Sequence, residues 1–231
     1  MATVHAADVS KMTAAPVEME RARGLFITFE GGEGTGKSST LALLAEDLRA
    51  HVPVCVTREP GDSSIGPALR SLILSTASRP LTDECEALLL AADRAQHAEE
   101  VIRPALSRGE VVLCDRYVDS SLAYQGAARG LGVERIGDLN MWGTRSLVPD
   151  ATLLFDVDPR IGLARRHSQG EVNRLDLEEM QFHEAVRTAF LVLAEADPSR
   201  YFVIDASKTH PEVLVNATKV IEGVIAEKWG H

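Results

Sequence analysis

Gly31, four further residues and then Gly36-Lys37-Ser38 reproduce the spacing GxxxxGK[ST], between an apolar run, LFITFE (25–30), and a helix-like pattern from residue 37. That spacing suits phosphate chemistry. Glycines let the backbone turn without a Cβ, so successive N–H groups point inward as an anion nest. A helix starting at Lys37 adds the positive end of its dipole. Gly31, Gly32, Glu33, Gly34, Thr35, Gly36, Lys37, Ser38 and Ser39 are therefore the candidate binding loop for the phosphates of ATP. Lys37 would reach the β- and γ-phosphates, and Ser38 would ligate Mg²⁺. A glycine-rich turn without a ligand would not need a strand before it and a helix after it. Asp115 closes another apolar run, VVLCD (111–115). A strand-terminal carboxylate in an open α/β sheet lies at the edge where ligands bind, and beside this loop it would hold Mg²⁺ or its waters.

Two classes of phosphate-binding protein compete for such a loop. A nucleotide-hydrolysing switch would want a DxxG segment, and no aspartate here has glycine three residues on. NRLD (173–176) mimics a guanine-reading motif, but it lies in a polar stretch between helical patterns instead of closing a strand. A kinase of small molecules needs a second pocket for an anionic acceptor, and guanidinium groups bind phosphate bidentately. Arg58 follows the second apolar run in TREPG, with Pro60-Gly61 setting a turn after it, and Arg116 follows the third. Leu90, Arg94 and His97 share one helix face by their spacing of four and three. A surface role is the usual reading of one arginine; two beside strand ends and a phosphate loop favour a pocket. His97 reads as structural.

The elements that must position these residues follow from the pattern. Five apolar runs read as strands, at 25–30, 52–57, 111–115, 152–157 and 201–205. They are continuous, as strands covered on both faces are. Helical patterns lie between and after them, at roughly 37–50, 64–76, 83–107, 118–146, 159–167, 176–196 and 211–229. Alternating strand and helix predicts a doubly wound α/β domain with a parallel five-stranded sheet and helices on both faces. Residues 1–23 read as a loosely held extension ahead of one domain over 24–231, and HSQGEVNR (167–174) as a mobile loop.

With 231 residues, 45% hydrophobic and 25% charged, the composition is that of a soluble globular chain. A net charge of −10 argues against wrapping nucleic acid by bulk electrostatics. No run approaches a membrane span, and no signal-peptide core is present, so cytoplasm is the expected location. Cys55, Cys85 and Cys114 fit no metal-ligand spacing. Cys55 and Cys114 fall in strands and are expected to be buried, reduced thiols.

FEGGEGTGKSS, TREPG, LLLAADRAQHAEEVIRPAL, DRYVDSSLAYQGAARG and DVDP…GLARR occur in this order. Together they resemble the motifs of bacterial thymidylate kinases, over about residues 24–229. The resemblance implies a P-loop NTPase-type kinase with a mobile lid at about 165–176. It would transfer the γ-phosphoryl group of ATP to dTMP with Mg²⁺, as a homodimer. It implies that Glu33 holds the acceptor sugar's 3′-hydroxyl, that Arg58 and Arg116 clamp the dTMP phosphate, and that Arg94 faces thymine O4. Ser121 and Gln125 would line the base pocket, and Tyr124 would fill the place of a ribose 2′-hydroxyl. With Gly34 after the loop acid, the transition-state arginines would come from the lid, with Arg165, Arg166 and Arg174 the candidates. Two positions depart from the family's pattern. Leu90 stands where an aromatic commonly stacks on thymine, and Gln169 where relatives often place an arginine.

Overall fold

The computed structural model describes residues 23–76, 80–168, 170 and 173–230. The expected extension over 1–23 falls almost wholly outside these, as do Gln169 and part of the loop expected to be mobile. Five strands, β1 (Leu25–Gly31), β2 (Val54–Arg58), β3 (Val111–Asp115), β4 (Ala151–Asp156) and β5 (Tyr201–Asp205), form one sheet in the order β2-β3-β1-β4-β5. Every neighbouring pair is parallel. The chain leaves β1 toward one edge for β2 and β3, then crosses to the other for β4 and β5. Such a reversal opens a crevice at the carboxyl ends of the central strands.

Alternation along β1 divides the core in two. Leu25, Ile27 and Phe29 pack with Leu113, Leu153 and Phe155 against α1 (Lys37–Leu48) and α9 (His210–Trp229). Phe26 faces the other way, with Val112, Cys114 and Tyr117, onto Ala98, Ile102 and Ala105. Those residues belong to a continuous helical stretch made of α3 (Asp83–His97), a π-helical segment (Ala98–Ile102) and α4 (Arg103–Ser107). Leu154 continues this second face under Tyr124, Val186 and Phe190. The last two lie on α8 (Met180–Ala196). Helices thus cover both faces, as the apolar runs predict.

The edges depart from that expectation. β2 and β5 end the sheet, and Val56 and Val203 on them stay exposed. For the same reason Cys55 is only half-buried; Cys85 is half-buried as well, and Cys114, on the inner strand β3, is fully enclosed. Burial pushes the Cys114 thiol well up, which keeps it protonated and unreactive.

The helix expected over 118–146 is not continuous. It divides into α5 (Val118–Ser121), a π-helical segment (Leu122–Ala128) and α6 (Val133–Gly143). The chain turns between them at Gly130 and Gly132, whose φ angles of 73° and 94° suit glycine. Short of it, α2 runs Gly66–Leu74, and after β4 comes α7 (Pro159–Ser168). A single 3₁₀ turn, Leu175–Leu177, precedes α8, which therefore starts later than the pattern suggests.

Candidate active site

Register places the polar strand ends on one line. Asp115 pairs with Phe29 on one side and with Arg58 on the other, while Gly31 lies opposite Phe155. Arg58 and Asp115 open into a cleft of about 850 Å³ above the sheet's carboxyl edge. Residues from Glu33 to Ser39 form its floor, together with Asp115 and Arg116.

The loop's conformation depends on its neighbour α7. A Cβ on Gly34 would lie 1.8 Å from the Gly162 carbonyl oxygen, and one on Gly162 would lie 2.2 Å from the Glu33 oxygen. The two glycines let α7 and the loop touch backbone to backbone. Lys37 is buried, and its Nζ donates to the oxygens of Gly31 (2.9 Å) and Gly32 (2.6 Å) and to Thr35 Oγ1 (3.1 Å). Burial and then the charge of Arg116 bring its ammonium down to about 8, against the pull of Glu33 and Asp115.

Asp115 accepts a hydrogen bond from Ser38 Oγ. A hydroxyl and a carboxylate in contact are hard oxygen donors of the kind Mg²⁺ takes, and an Mg²⁺ bound this way draws its other ligands from phosphate and water. No group of three or more His, Cys, Asp or Glu side chains arranged to hold a metal occurs among the described residues. The pair therefore fits Mg²⁺ carried by a nucleotide better than an ion caged by protein.

Arg116 adopts a left-handed backbone, φ 70°, directly after β3. A residue other than glycine in that region is strained, and such strain collects at functional sites. The turn throws its guanidinium back over the loop, where it donates to the Gly31 oxygen (3.1 Å), Ser120 Oγ (3.1 Å) and Glu33 Oε1 (2.8 Å). Tyr124 donates to the same carboxylate oxygen at 2.9 Å. Burial works to raise the Glu33 carboxyl, but Arg116, Lys37 and Tyr124 outweigh it and hold it down to about 2. Glu33 is therefore a fixed acceptor and a poor general base.

Arg94 is 2% exposed, and each of its three nitrogens donates to a neighbour. Its Nε donates to Glu59 (2.6 Å), Nη1 to Ser121 Oγ (2.9 Å) and to Asn140 Oδ1, and Nη2 to the Tyr117 oxygen (3.0 Å). His97, on the same helix, binds Glu59 (2.8 Å) and Thr57 Oγ1 (2.6 Å), which bears out its structural reading. Leu90, Ser121, Tyr124 and Gln125 border the cleft with Arg94. The π-helical segment after α5 carries Tyr124 and Gln125 into this wall.

The remaining arginines are less preorganised. Arg58 borders the cleft but is half-exposed and paired with Asp62 at 3.4 Å. Arg165 and Arg166 both reach the cleft; Arg165 donates to the Ala206 oxygen (2.8 Å) and Arg166 to Asp176 (3.4 Å). Arg174 does not line the cleft. It binds Glu86 and donates from Nε to the Ile73 oxygen at 3.1 Å.

Several residues of the site escape a reading by motif. Arg70 on α2 lines the cleft and donates to the Pro60 oxygen at 2.7 Å. Lys208, Thr209 and His210 border it from the turn after β5. Their position past a strand's carboxyl end was the available signal. Glu59 and Asn140, which hold Arg94, carry no local signal because their partners come from distant elements.

Comparisons with known proteins agree with this geometry. A family model described as thymidylate kinase matches residues 29–217. A thymidylate kinase of Pseudomonas fluorescens is 51% identical over 203 residues, covering 87% of this chain and 97% of the relative. One of Cutibacterium acnes is 45% identical, covering 87% and 98%. The crystal structure of thymidylate kinase from Ehrlichia chaffeensis has a TM-score of 0.70 at 31% identity, over 86% of this chain and 99% of that one. Because the match runs from β1 into α9 and takes in every wall of the cleft, the chain belongs to the thymidylate kinase family.

Proposed function

We propose that the chain transfers the γ-phosphoryl group of ATP to dTMP, releasing ADP and dTDP, and so acts in nucleotide biosynthesis. One observation carries the reading: a single cleft joins a P-loop to the buried Arg94 through the Arg116–Glu33–Tyr124 contacts. A donor phosphate and an acceptor base would then lie at opposite ends of one site.

A phosphate oxygen of dTMP would attack the γ-phosphorus in line, while the bond to the β-bridging oxygen breaks and ADP leaves. A nucleotide phosphate is largely deprotonated at neutral pH, so no base need take a proton from it. The work is positioning and charge neutralisation. Gly31 to Ser39 and Lys37 hold the donor phosphates. Ser38 and Asp115 would hold Mg²⁺, which when bound neutralises charge on the β- and γ-phosphates. Arg58, Arg70 and Arg116 face the acceptor phosphate, and Arg165 and Arg166 approach the donor. Glu33, pinned by Arg116 and Tyr124, accepts from the sugar 3′-hydroxyl. The Tyr124 ring takes the space of a 2′-hydroxyl and so selects the deoxy sugar. Closure of the end of α7, which carries Arg165 and Arg166 to the cleft, would exclude water from the reacting phosphates. Leu90 gives the base an apolar contact in place of stacking.

A homodimer and a cytoplasmic location complete the reading. Large apolar side chains left exposed on adjoining helices support the first, and three free cysteines agree with the second.

A coupled ADP-release assay with Mg-ATP tests the activity, with dTMP, dUMP, dCMP and AMP offered separately beside an acceptor-free control. High turnover with dTMP and little with dCMP or AMP is expected. Comparable rates with several acceptors would leave a kinase of broad base choice, and ATP binding without acceptor-dependent turnover would leave a nucleotide-binding regulator.

A further inference from the structure

Glu86 lies in the first turn of α3, 1% exposed, and nothing in the phosphoryl transfer requires it. Oε1 accepts from Gln125 Nε2 at 2.6 Å and, at the longer distance of 3.5 Å, from Arg129 Nε. Oε2 accepts from Arg129 Nη2 at 3.3 Å and from Arg174 Nη2. Burial alone would raise this carboxyl, yet the bonds from Arg174 and Gln125 and the charge of Arg129 hold it low, so it is ionised.

An ionised carboxylate only accepts hydrogen bonds. The Gln125 side chain can therefore meet Glu86 only through its NH₂ group, which turns its carbonyl oxygen to the opposite side. Gln125 is itself buried and borders the cleft beside Arg94 and Leu90. The four hydrogen bonds of Arg94 occupy its Nε–H, both Nη1–H and one Nη2–H, which leaves one donor. Arg94 and Gln125 both border the cleft, so its wall has one uncommitted donor and one acceptor for a base. Thymine presents the complement, the O4 acceptor next to the N3–H donor. Cytosine presents the inverse, an amino donor next to the N3 acceptor, and is mismatched at both.

We propose that Glu86 is a positioning residue that sets the pyrimidine choice of the cleft, by locking the Gln125 amide with its carbonyl toward the acceptor base. The inference rests on dTMP being the acceptor. Arg129 and Arg174 donate only, so they complete the lock by orienting Glu86 and tolerate no donor in its place.

Glu86→Gln has a definite consequence. The new amide keeps its shorter contacts by turning its carbonyl to Arg129 Nη2 and Arg174 and its NH₂ to Gln125, giving up the long contact from Arg129 Nε. Gln125 then has to reverse, giving its carbonyl to residue 86 and its NH₂ to the base. Two donors would face thymine N3–H and O4, leaving one unmatched buried pair. The kcat/KM for dTMP should fall about tenfold or more. That for dUMP should fall in parallel, because uracil shares the edge, while dCMP holds or gains. A pocket that was merely loosened would lower all acceptors together.

The exchange E86Q/Q125E restores the original pattern with the same groups and charge. Residue 125 becomes acceptor-only, and residue 86 donates to it. The dTMP:dCMP ratio should return toward the wild-type value, and this arm remains informative if E86Q alone folds poorly. An E86Q enzyme with an unchanged dTMP:dCMP ratio, or an exchange that fails to restore a lowered one, overturns the inference. Wild-type protein without dTMP turnover in the same assay overturns the acceptor assignment instead, so the two failures are distinct.

Discussion

Arg94 combines two duties that are usually separate. Its ion pair with Glu59, at 2.6 Å and almost fully buried, ties α3 to the end of β2, and the same side chain borders the cleft, where the proposed reading sets it against the base. Breaking a buried pair by removing one partner costs about 3–5 kcal/mol, because the other charge is left uncompensated. Here His97 still meets Glu59 at 2.8 Å, which places the expected loss toward the lower end of that range. Arg94→Ala should therefore lower the urea midpoint and also weaken dTMP binding well beyond its effect on ATP. Titration of each nucleotide against the folded variant separates the two duties. Equal weakening for both would mean that Arg94 acts through the fold alone. Contrast Arg58, which is half-exposed and, among the described residues, pairs with Asp62 at 3.4 Å, so its side chain can reorient at low cost when an anion enters. Of these two arginines, Arg94 is thus the rigid one and Arg58 the adjustable one.

At the level of elements, the close approach of α7 to the P-loop depends on Gly34 and Gly162 together. Gly162→Ala opposes two effects. Alanine favours a helix over glycine by about 1 kcal/mol, but its Cβ would lie 2.2 Å from the Glu33 oxygen. Backbone cannot give way cheaply, so α7 and the loop must part. A displacement of about 1 Å in a phosphate-positioning loop costs on the order of a hundredfold in turnover. The variant should melt near the wild type while kcat/KM falls by about that factor; full activity would show that the loop holds its shape without α7. The strands and the loop were legible in the sequence because their information is contiguous: apolar runs for the five strands, one glycine spacing for the loop. Gly162 was not, since its partner is distant in the chain. Nor was the π-helical segment at Leu122–Ala128, because a 3.6-residue period cannot register one extra residue per turn. That segment delivers Tyr124 and Gln125 to the cleft, so resemblance could name those residues while periodicity could not place them. Glu86 has no sequence signal of its own, because the contacts that distinguish it come from Gln125, Arg129 and Arg174, all distant in the chain.

For the molecule as a whole, the open question is what covers α3. This helix packs between α2 and α6 and carries Glu86, Leu90 and Arg94 toward the cleft. Its outer side and those neighbours leave Leu72, Leu88 and Trp142 exposed, Leu88 at 57% and Trp142 at 81%. Single exposed apolar residues are ordinary, but three large ones on adjoining helices are the composition of a contact surface. The proposed homodimer would cover them, and because a two-fold interface is isologous, the same helices would meet in both copies. Two substitutions that put charge at its centre, Leu88→Glu with Trp142→Glu, should leave a folded monomer in sedimentation, since both side chains already face solvent in the single chain. The kinetic consequence depends on what α3 does. With one side packed on a partner and the other lining the base pocket, its position is shared between assembly and recognition. The monomer should then show a raised KM for dTMP with the KM for ATP nearly unchanged, because the P-loop is carried by β1 and α1 and not by α3. Equal changes for both nucleotides would place the interface elsewhere, and a variant that remains dimeric would remove these helices from it.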